Sequence, residues 1–405
     1  MTKTIAVIGS LDTKGEEFAF LKAEIEKRGF RSLVIDVGVL GEPGLTPDIP
    51  AAAVAAAGRT TQAELRTRRH RGEALDAMAK GVAIVVKRLY DEGKFSGIIS
   101  MGGGGGTAIG TSAMRALPVG VPKLMVTTVA SGDTSPYVGI TDITMMPSIV
   151  DISGLNRISR VIFANAAAAI CGMATAEAGE PAAAKPLIAA SMFGNTTRAV
   201  DHARRIMEAH GYEVLVFHAT GTGGKTMEML IQNGFFAGVL DITTTEWADE
   251  VCGGVLSAGP SRLDAAAQAG IPQVVTPACL DMCNFWAPET IPAHLQDRLF
   301  HHWNPNVTLM RTNLAENTRL GEIFAAKLNA ARGPVAVFVP LKGFSEIDAP
   351  GQPFWWPEAD QAFLDALRRK IRPGIPVTAL DYNINDPEFS AKLAETLLAL
   401  LKRES

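Results

Sequence analysis

Five consecutive glycines, Gly102 to Gly106, stand between the apolar run GIISM and the helix-like stretch AIGTSAM, with Thr107 closing the run. Glycine adds nothing to a core and costs about 0.5–1 kcal/mol relative to alanine in regular structure, so the run needs a backbone reason. The amides of Gly103, Gly104, Gly105 and Gly106 can close on a phosphate as a nest, and the N-terminus of the following helix, expected near Ala108, adds its dipole. A mobile surface connection is the plainer alternative. A second loop, Gly9-Ser10-Leu11-Asp12-Thr13-Lys14-Gly15, offers Ser10, Thr13 and Lys14 as anion donors ahead of another helix. Its plainer reading is a cap by Asp12 or Thr13, with Glu16 completing a capping box. A third loop contributes Thr128, Ser131, Gly132 and Asp133. Asp36, closing SLVID, stands where a nucleotide fold binds a ribose hydroxyl, or else holds a turn. The first loop reads GxxxxxG rather than GxGxxG, which argues against a nicotinamide dinucleotide.

The second half holds a further anion candidate in Ala219 to Thr226, where Gly221, Gly223, Gly224, Lys225 and Thr226 satisfy a relaxed phosphate-loop pattern between a strand and a helix. Its counterpart in the first half, DVGVLGEPG, lacks a lysine, and no clear metal-binding strand follows unless GVLD ending at Asp241 serves. Asp241 to Glu246 and Ser257 to Arg262 add polar strand-end groups, and Lys342, Ser345, Glu346 and Asp348 follow the run PVAVFVP. Cys279, Cys283, His294, His301 and His302 are spaced too irregularly for a zinc site, so no resident metal is expected. The nearby Phe285, Trp286, Phe300 and Trp303 read as a segment covering a cleft or contacting a subunit, and Phe354 to Trp356 as a lid or a plug. No GxSxG elbow is present, so the catalytic residues stay unassigned.

These loops hang on a repeated pattern of short apolar runs and 3.6-period stretches, which predicts parallel sheets covered by helices on both faces. The second half replays the first. IAVIGS…KRGF matches LIAASMFGN…EAHGY, placing Gly29 on Gly211; YDEGKFSG matches IQNGFFAG, placing Gly93 on Gly234; and VGVPKLMVTT matches AGIPQVVTPA. A fourth match sets DITMMPSIVDISGLN…ANAAAA on NVTLMRTNLAENT…KLNAA. The expectation is an α/β chain of two Rossmann-like, doubly wound parallel-sheet domains related by internal duplication, 1–180 and 186–405, joined through the Ala/Gly/Pro/Glu stretch 176–186. Residues 334–405 have no counterpart and are expected to extend the second sheet. With ligands bound outside the carboxyl ends of the strands, the site is expected in the strand-end loops of the first domain and the cleft between the two.

Composition narrows the function. A net charge of −4 over 405 residues with 20% charged side chains lacks the basic footprint of a nucleic-acid binder. Four cysteines, none spaced CxxC, fit a reducing cytoplasm. The longest apolar stretch, Val161 to Ala174, is short of about 20 residues, so neither a leader nor a membrane span is expected.

The motifs GSLDTKGEEF, GGGGGTAIGT, LPVGVPKLMVTTVASGD and PLKGFSEID resemble those of a family of bacterial proteins typified by the ATP-binding N-terminal domain of the tomato mosaic virus resistance protein. The resemblance runs through essentially the whole chain. It implies a two-domain Rossmann-like fold, a homodimer and bound ATP, with the Asp12-Thr13-Lys14 loop, Gly103 to Thr107 and Thr128 to Asp133 as contacts. It fixes no reaction, so enzyme status stays open. Three expectations follow: ATP-dependent phosphoryl or adenylyl transfer to a small acid, with Mg2+ held by Asp12 or Asp133; a non-catalytic nucleotide-sensing dimer; or a site for a sugar phosphate or carboxylate without nucleotide.

Overall fold

The computed structural model describes residues 2–68, 71–177 and 185–402. The chain divides into two compact units, 1–180 and 181–405. Most of the expected linker, 176–186, lies outside the described residues.

The first unit runs β1 (Thr4–Gly9), α1 (Leu11–Glu26), β2 (Arg31–Asp36), α2 (Ala51–Ala57), α3 (Gln62–Arg68), α4 (Arg71–Asp91), β3 (Gly97–Gly102), α5 (Gly104–Arg115), β4 (Lys123–Thr127), α6 (Ser135–Val138), β5 (Thr144–Pro147) and α7 (Arg157–Thr175). All five strands are parallel, in the order β2-β1-β3-β4-β5. Successive side chains on a strand face opposite ways. Ala6 and Ile8 of β1 therefore pack with α2, α4 and α5, while Ile5 and Val7 pack with α1 and α7. Burial on both faces explains why these strands read as continuous apolar runs. By length and composition α7 passes as a membrane span, but Phe163, Ala166, Ala167 and Ile170 on one of its faces belong to this core.

The second unit runs β6 (Leu187–Met192), α8 (Thr197–Ala209), β7 (Glu213–His218), α9 (Thr222–Gln232), β8 (Gly238–Thr243), α10 (Glu246–Cys252), α11 (Ala265–Ala269), β9 (Gln273–Ala278), β10 (Met282–Phe285), β11 (Phe300–Asn304), β12 (Val307–Arg311), α12 (Leu314–Asn329), β13 (Val335–Pro340), α13 (Pro357–Lys370), β14 (Val377–Leu380) and α14 (Pro387–Leu401). Its parallel sheet has the order β14-β13-β9-β8-β6-β7, so its first four strands repeat the order of the first unit and β13 and β14 extend the edge as expected.

One element of the repeat lands elsewhere. The segment NVTLM, matched in sequence to the β5 segment, forms β12 in a separate antiparallel sheet of order β10-β12-β11, and β13 takes the place beside β9. The inserted residues 279–306 supply both neighbours: Met282 pairs with Arg311 on one side and Phe300 with Met310 on the other. With both edges of β12 satisfied within its own insertion, nothing draws it into the parallel sheet. The helices after the two matched segments keep the same start: Asn156 caps α7 with Ser159, and Asn313 caps α12 with Glu316.

Candidate functional site

The glycine run does not precede its helix but begins it. β3 ends at Gly102, Gly103 is the cap, and α5 starts at Gly104 rather than near Ala108. The first intrahelical bond is Thr107 N to Gly103 O, 2.8 Å. Among the described residues the amides of Gly104, Gly105 and Gly106 have no backbone or side-chain acceptor, as the first turn of any helix leaves them. They open into a cavity of about 780 Å3.

Six segments build that cavity. Ser10, Asp12, Thr13 and Lys14 come from the start of α1, Val37 to Leu40 from the loop after β2, Leu65 and Arg66 from α3, and Ala74, Leu75 and Met78 from α4; Met101 to Gly106, Ile109 and Asp151 complete it. Ser10 to Lys14 and the glycine amides make part of the lining polar, and Leu65, Ala74, Leu75, Met78 and Ile109 make part of it apolar. α1 is kinked at Lys14, which has non-helical φ −135° and ψ 26°. The Lys14 ammonium donates to Ile152 O, tying α1 to the loop after β5. Gly15 is a packing requirement: a Cβ there would lie 2.8 Å from Gly44 Cα, where the chain crosses α1 and Gly44 N donates to Leu11 O.

Several predicted contacts have other work. Asp12 accepts from Leu40 N at 2.7 Å and Gly41 N at 3.2 Å, and its second oxygen is buried, so this carboxylate holds the loop after β2. Asp36 accepts from Leu11 N at 3.1 Å and Gly38 N at 2.8 Å and is 4% exposed, with burial pushing its carboxyl up. Of its two readings the turn is the one the geometry favours. Thr107 is buried, its hydroxyl bonded to Gly103 O and to Thr127 Oγ1 at 2.6 Å and its amide to Gly103 O, so it lies outside the nest and does not line the cavity. Thr128 and Ser131 line a separate hollow beyond β4 together with Ser148 to Asp151. Gly132 N closes a turn onto Val129 O, and Asp133 accepts from Ser135 N and Oγ; neither lines either hollow. Arg66, Met78 and Asp151 were not anticipated. Arg66 donates to Val39 O and Gly41 O from an exposed position, and no motif marks it.

The second unit answers its phosphate-loop string differently. Gly221, with φ +79°, caps α9, and its amide and that of Gly224 donate to Glu246 Oε1 at 2.8 and 3.0 Å. The anion in this nest is the chain's own carboxylate, and a Cβ at Gly224 would lie 2.2 Å from Glu246 Oε2. Glu246 opens α10, directly after β8, as Gly104 opens α5 directly after β3. The filled nest itself follows β7, the counterpart of β2, whereas the open amides of the first unit follow β3; what corresponds to Gly104 is the residue that supplies the plug. Behind Glu246 lies Arg262, 1% exposed, with Nε on Glu246 at 2.7 Å, two nitrogens on Asp241 at 2.5 and 2.6 Å, and Glu228 at 3.2 Å. Burial alone would lower the arginine's proton affinity, but its carboxylates outweigh burial and hold it well above its usual range. The remaining expected anion donors do not converge. Gly223 is a packing requirement, since a Cβ there would run into His218 O, Lys225 is exposed, Thr226 bonds Thr222 O, Lys342 pairs with Asp381 at 2.9 Å, and the buried Ser345 donates to Asp281.

The edge of this unit is rich in buried acids. Asp281, Asp348 and Asp360 surround Arg311, which bonds Asp360 at 2.7 Å, and burial and the neighbouring Asp348 push Asp281 up to about 7. Asp249, bonded to Asn284 and Leu256 N, is pushed up to about 7 by burial. Cys279 and Cys283 pack in different apolar clusters, and among the described residues no group of three or more His, Cys, Asp or Glu is placed to hold a metal. Phe285 is core, whereas Trp286 and Trp303 on the small antiparallel sheet are half exposed. Phe354 is fully buried against His301, the plug of the two readings.

Residues 3–179 match the N-terminal domain, and 185–401 the C-terminal domain, of the uncharacterised protein family UPF0261. A UPF0261 protein of Clostridium tetani is 51% identical over 404 residues, all of both chains, and one of Rhizobium meliloti is 45% identical over 96% of each. The tomato (Solanum lycopersicum) ToMV resistance protein Tm-1(GCR237) is 42% identical over 82% of this chain and 45% of its own length. Among solved structures, a UDP-N-acetylglucosamine 2-epimerase from Rickettsia bellii aligns over 100% of this chain and 96% of its own at 8% identity, with a TM-score of 0.24, too low to argue from.

Proposed function

The chain belongs to the UPF0261 family, both of whose domains it carries in order, and we propose that its first unit binds ATP in the cavity between α1, α4 and α5. The observation that carries this reading is the row of acceptor-free amides at Gly104, Gly105 and Gly106, at the positive end of a helix, lining a cavity that apolar side chains of α3 and α4 also line. Amides and helix dipole suit a polyphosphate, Lys14, whose ammonium donates to Ile152 O, adds positive charge to the lining, and Leu65, Leu75, Met78 and Ile109 offer a flat base an apolar surface. A volume of about 780 Å3 lies within the range of small-molecule sites, about 300–1,000 Å3.

The residues fit Mg2+ less directly. Asp12 is committed to the loop after β2 and Asp133 to Ser135, so neither of the expected carboxylates is placed to hold a nucleotide-borne Mg2+. On this reading the protein works in the cytoplasm as a homodimer on a small-molecule ligand, apart from nucleic acid and membrane. Its cysteines are free, in keeping with a reducing compartment.

Titration calorimetry with ATP and Mg2+ tests the reading, and absence of binding heat overturns it. Release of ADP, phosphate or pyrophosphate during incubation separates transfer chemistry from sensing. Displacement of ATP by a sugar phosphate would mark the cavity as a general phosphate site.

A further inference from the structure

Beyond β4 and β5 the first unit has a second hollow of about 370 Å3, lined by Thr127, Thr128, Ser131 and the segment Pro147 to Asp151. Asp151 belongs to the walls of both hollows, and a Cβ on Gly103 would lie 3.7 Å from Thr128 Oγ1, so the second hollow adjoins the amide nest. The two differ in chemistry. The first brings Lys14, Arg66 and free amides, whereas the second brings hydroxyls, one carboxylate and no cationic side chain. The Thr127 hydroxyl is engaged with Thr107 and Val129 N, and that of Ser148 with Val150 O, but among the described residues the hydroxyls of Thr128 and Ser131 have no protein partner.

The backbone here is held in an unfavourable form. Val150 N donates to Ser148 O at 2.7 Å across Ile149, whose φ is +64°, which is the rare left-handed γ-turn. A β-branched residue at positive φ is an outlier that persists only where its surroundings enforce it. Ser148 N on Thr127 O and Ser148 Oγ on Val150 O do so. The turn leaves Ile149 71% exposed at the rim and delivers Asp151 to the partition between the hollows.

We propose that the second hollow is the acceptor subsite of a phosphoryl transfer, taking a small uncharged hydroxyl compound of the polyol or sugar class; this rests on the nucleotide reading above. Thr128 and Ser131 bond the acceptor's hydroxyls, Ile149 covers its carbon face, and Asp151 accepts the proton of the attacking hydroxyl. The acceptor oxygen forms a bond to the γ-phosphorus, the bond from that phosphorus to the β,γ-bridging oxygen breaks, ADP leaves with the electron pair, and the proton passes from Asp151 to water. A small acid is disfavoured, because its carboxylate would face Asp151 with no cation in the wall to offset the repulsion.

The test uses the full chain with ATP, Mg2+ and glycerol, ribose or myo-inositol, following ADP release and the new phosphomonoester by phosphorus NMR. Ser131→Phe fills only the second hollow, and should bind ATP within about twofold of the parent while losing acceptor-stimulated ADP release at least tenfold. Asp151→Asn should slow transfer by about 10²–10⁴-fold while leaving the Kd for ATP nearly unchanged. If ATP binds but no probe stimulates ADP release, or Ser131→Phe leaves stimulation intact, the subsite is refuted and the nucleotide site stands. If ATP does not bind the parent, the nucleotide reading itself fails.

Discussion

Replacing Gly104 with Val sets binding against folding. Gly104 is the first residue of α5, and the nearest atom to a Cβ built on it is Tyr137 Oη at 3.7 Å, an ordinary contact with the end of a movable side chain. Glycine is about 1 kcal/mol and valine at most about 0.7 kcal/mol less favourable than alanine in a helix, so stability should stay within about 0.5 kcal/mol. For a unit of this size that is a shift in Tm of about 2 °C or less. The isopropyl group would stand at the amides proposed to hold phosphate. Loss of one charge-assisted hydrogen bond, about 1.5–3 kcal/mol, raises the Kd for ATP by roughly 10- to 150-fold. Calorimetric titration reads the affinity, and scanning calorimetry of the same sample reads the Tm. An unchanged Kd would refute the phosphate nest, and a Tm lower by more than about 5 °C would show that the glycine serves the fold. Gly102→Val is the contrast, since its Cβ would lie 2.7 Å from Gly106 Cα and should destabilise the unit with or without ligand.

All five tryptophans lie in the second unit, so their fluorescence follows its unfolding alone. Glu246→Gly strips two buried amides and Arg262 of an acceptor and should cost about 3–5 kcal/mol; 100 mM acetate should recover part of it, and equal recovery by chloride would refute the plugged-nest reading. Asp249, pushed up to about 7, keeps a proton in the folded unit that the unfolded chain releases near pH 4, so its contribution is full below pH 4 and lost as pH rises to 7. At 1.36 kcal/mol per unit the loss is up to about 4 kcal/mol. Asp249→Asn should flatten the fall in urea stability between pH 5.5 and 8, because the free Asn284 Oδ1 can accept from the new amide on flipping; an unchanged slope would count against it.

What could be read from the sequence was set by period. Alternating apolar runs and helical stretches announce two doubly wound sheets because burial on both faces leaves no other pattern. The glycine run announces an amide-lined strand end, yet glycine's poor helix propensity conceals that Gly104 to Gly106 are themselves helical. The string at 221–226 carries the letters of an anion site, but that Glu246 fills it depends on a strand end folding back beside it, which spacing does not encode. Arg66 and Met78 sit on helices whose pattern reads as surface and core, and only the loop after β2 makes them a wall. NVTLM resembles the β5 segment residue for residue, and its sheet is decided by the insertion ahead of it.

The Glu246 carboxylate behaves as a ligand tethered to its own receptor. Joined by the chain, it enters the nest without the loss of translational and rotational freedom that a dissolved anion would bear. A side chain grown into a nest withdraws it from dissolved anions at a single position and turns what would be a ligand's binding energy into fixed structural stability. Where Glu246 opens its helix, the first unit has Gly104 within a run of five residues without side chains, so no group of that run could serve as an internal substitute.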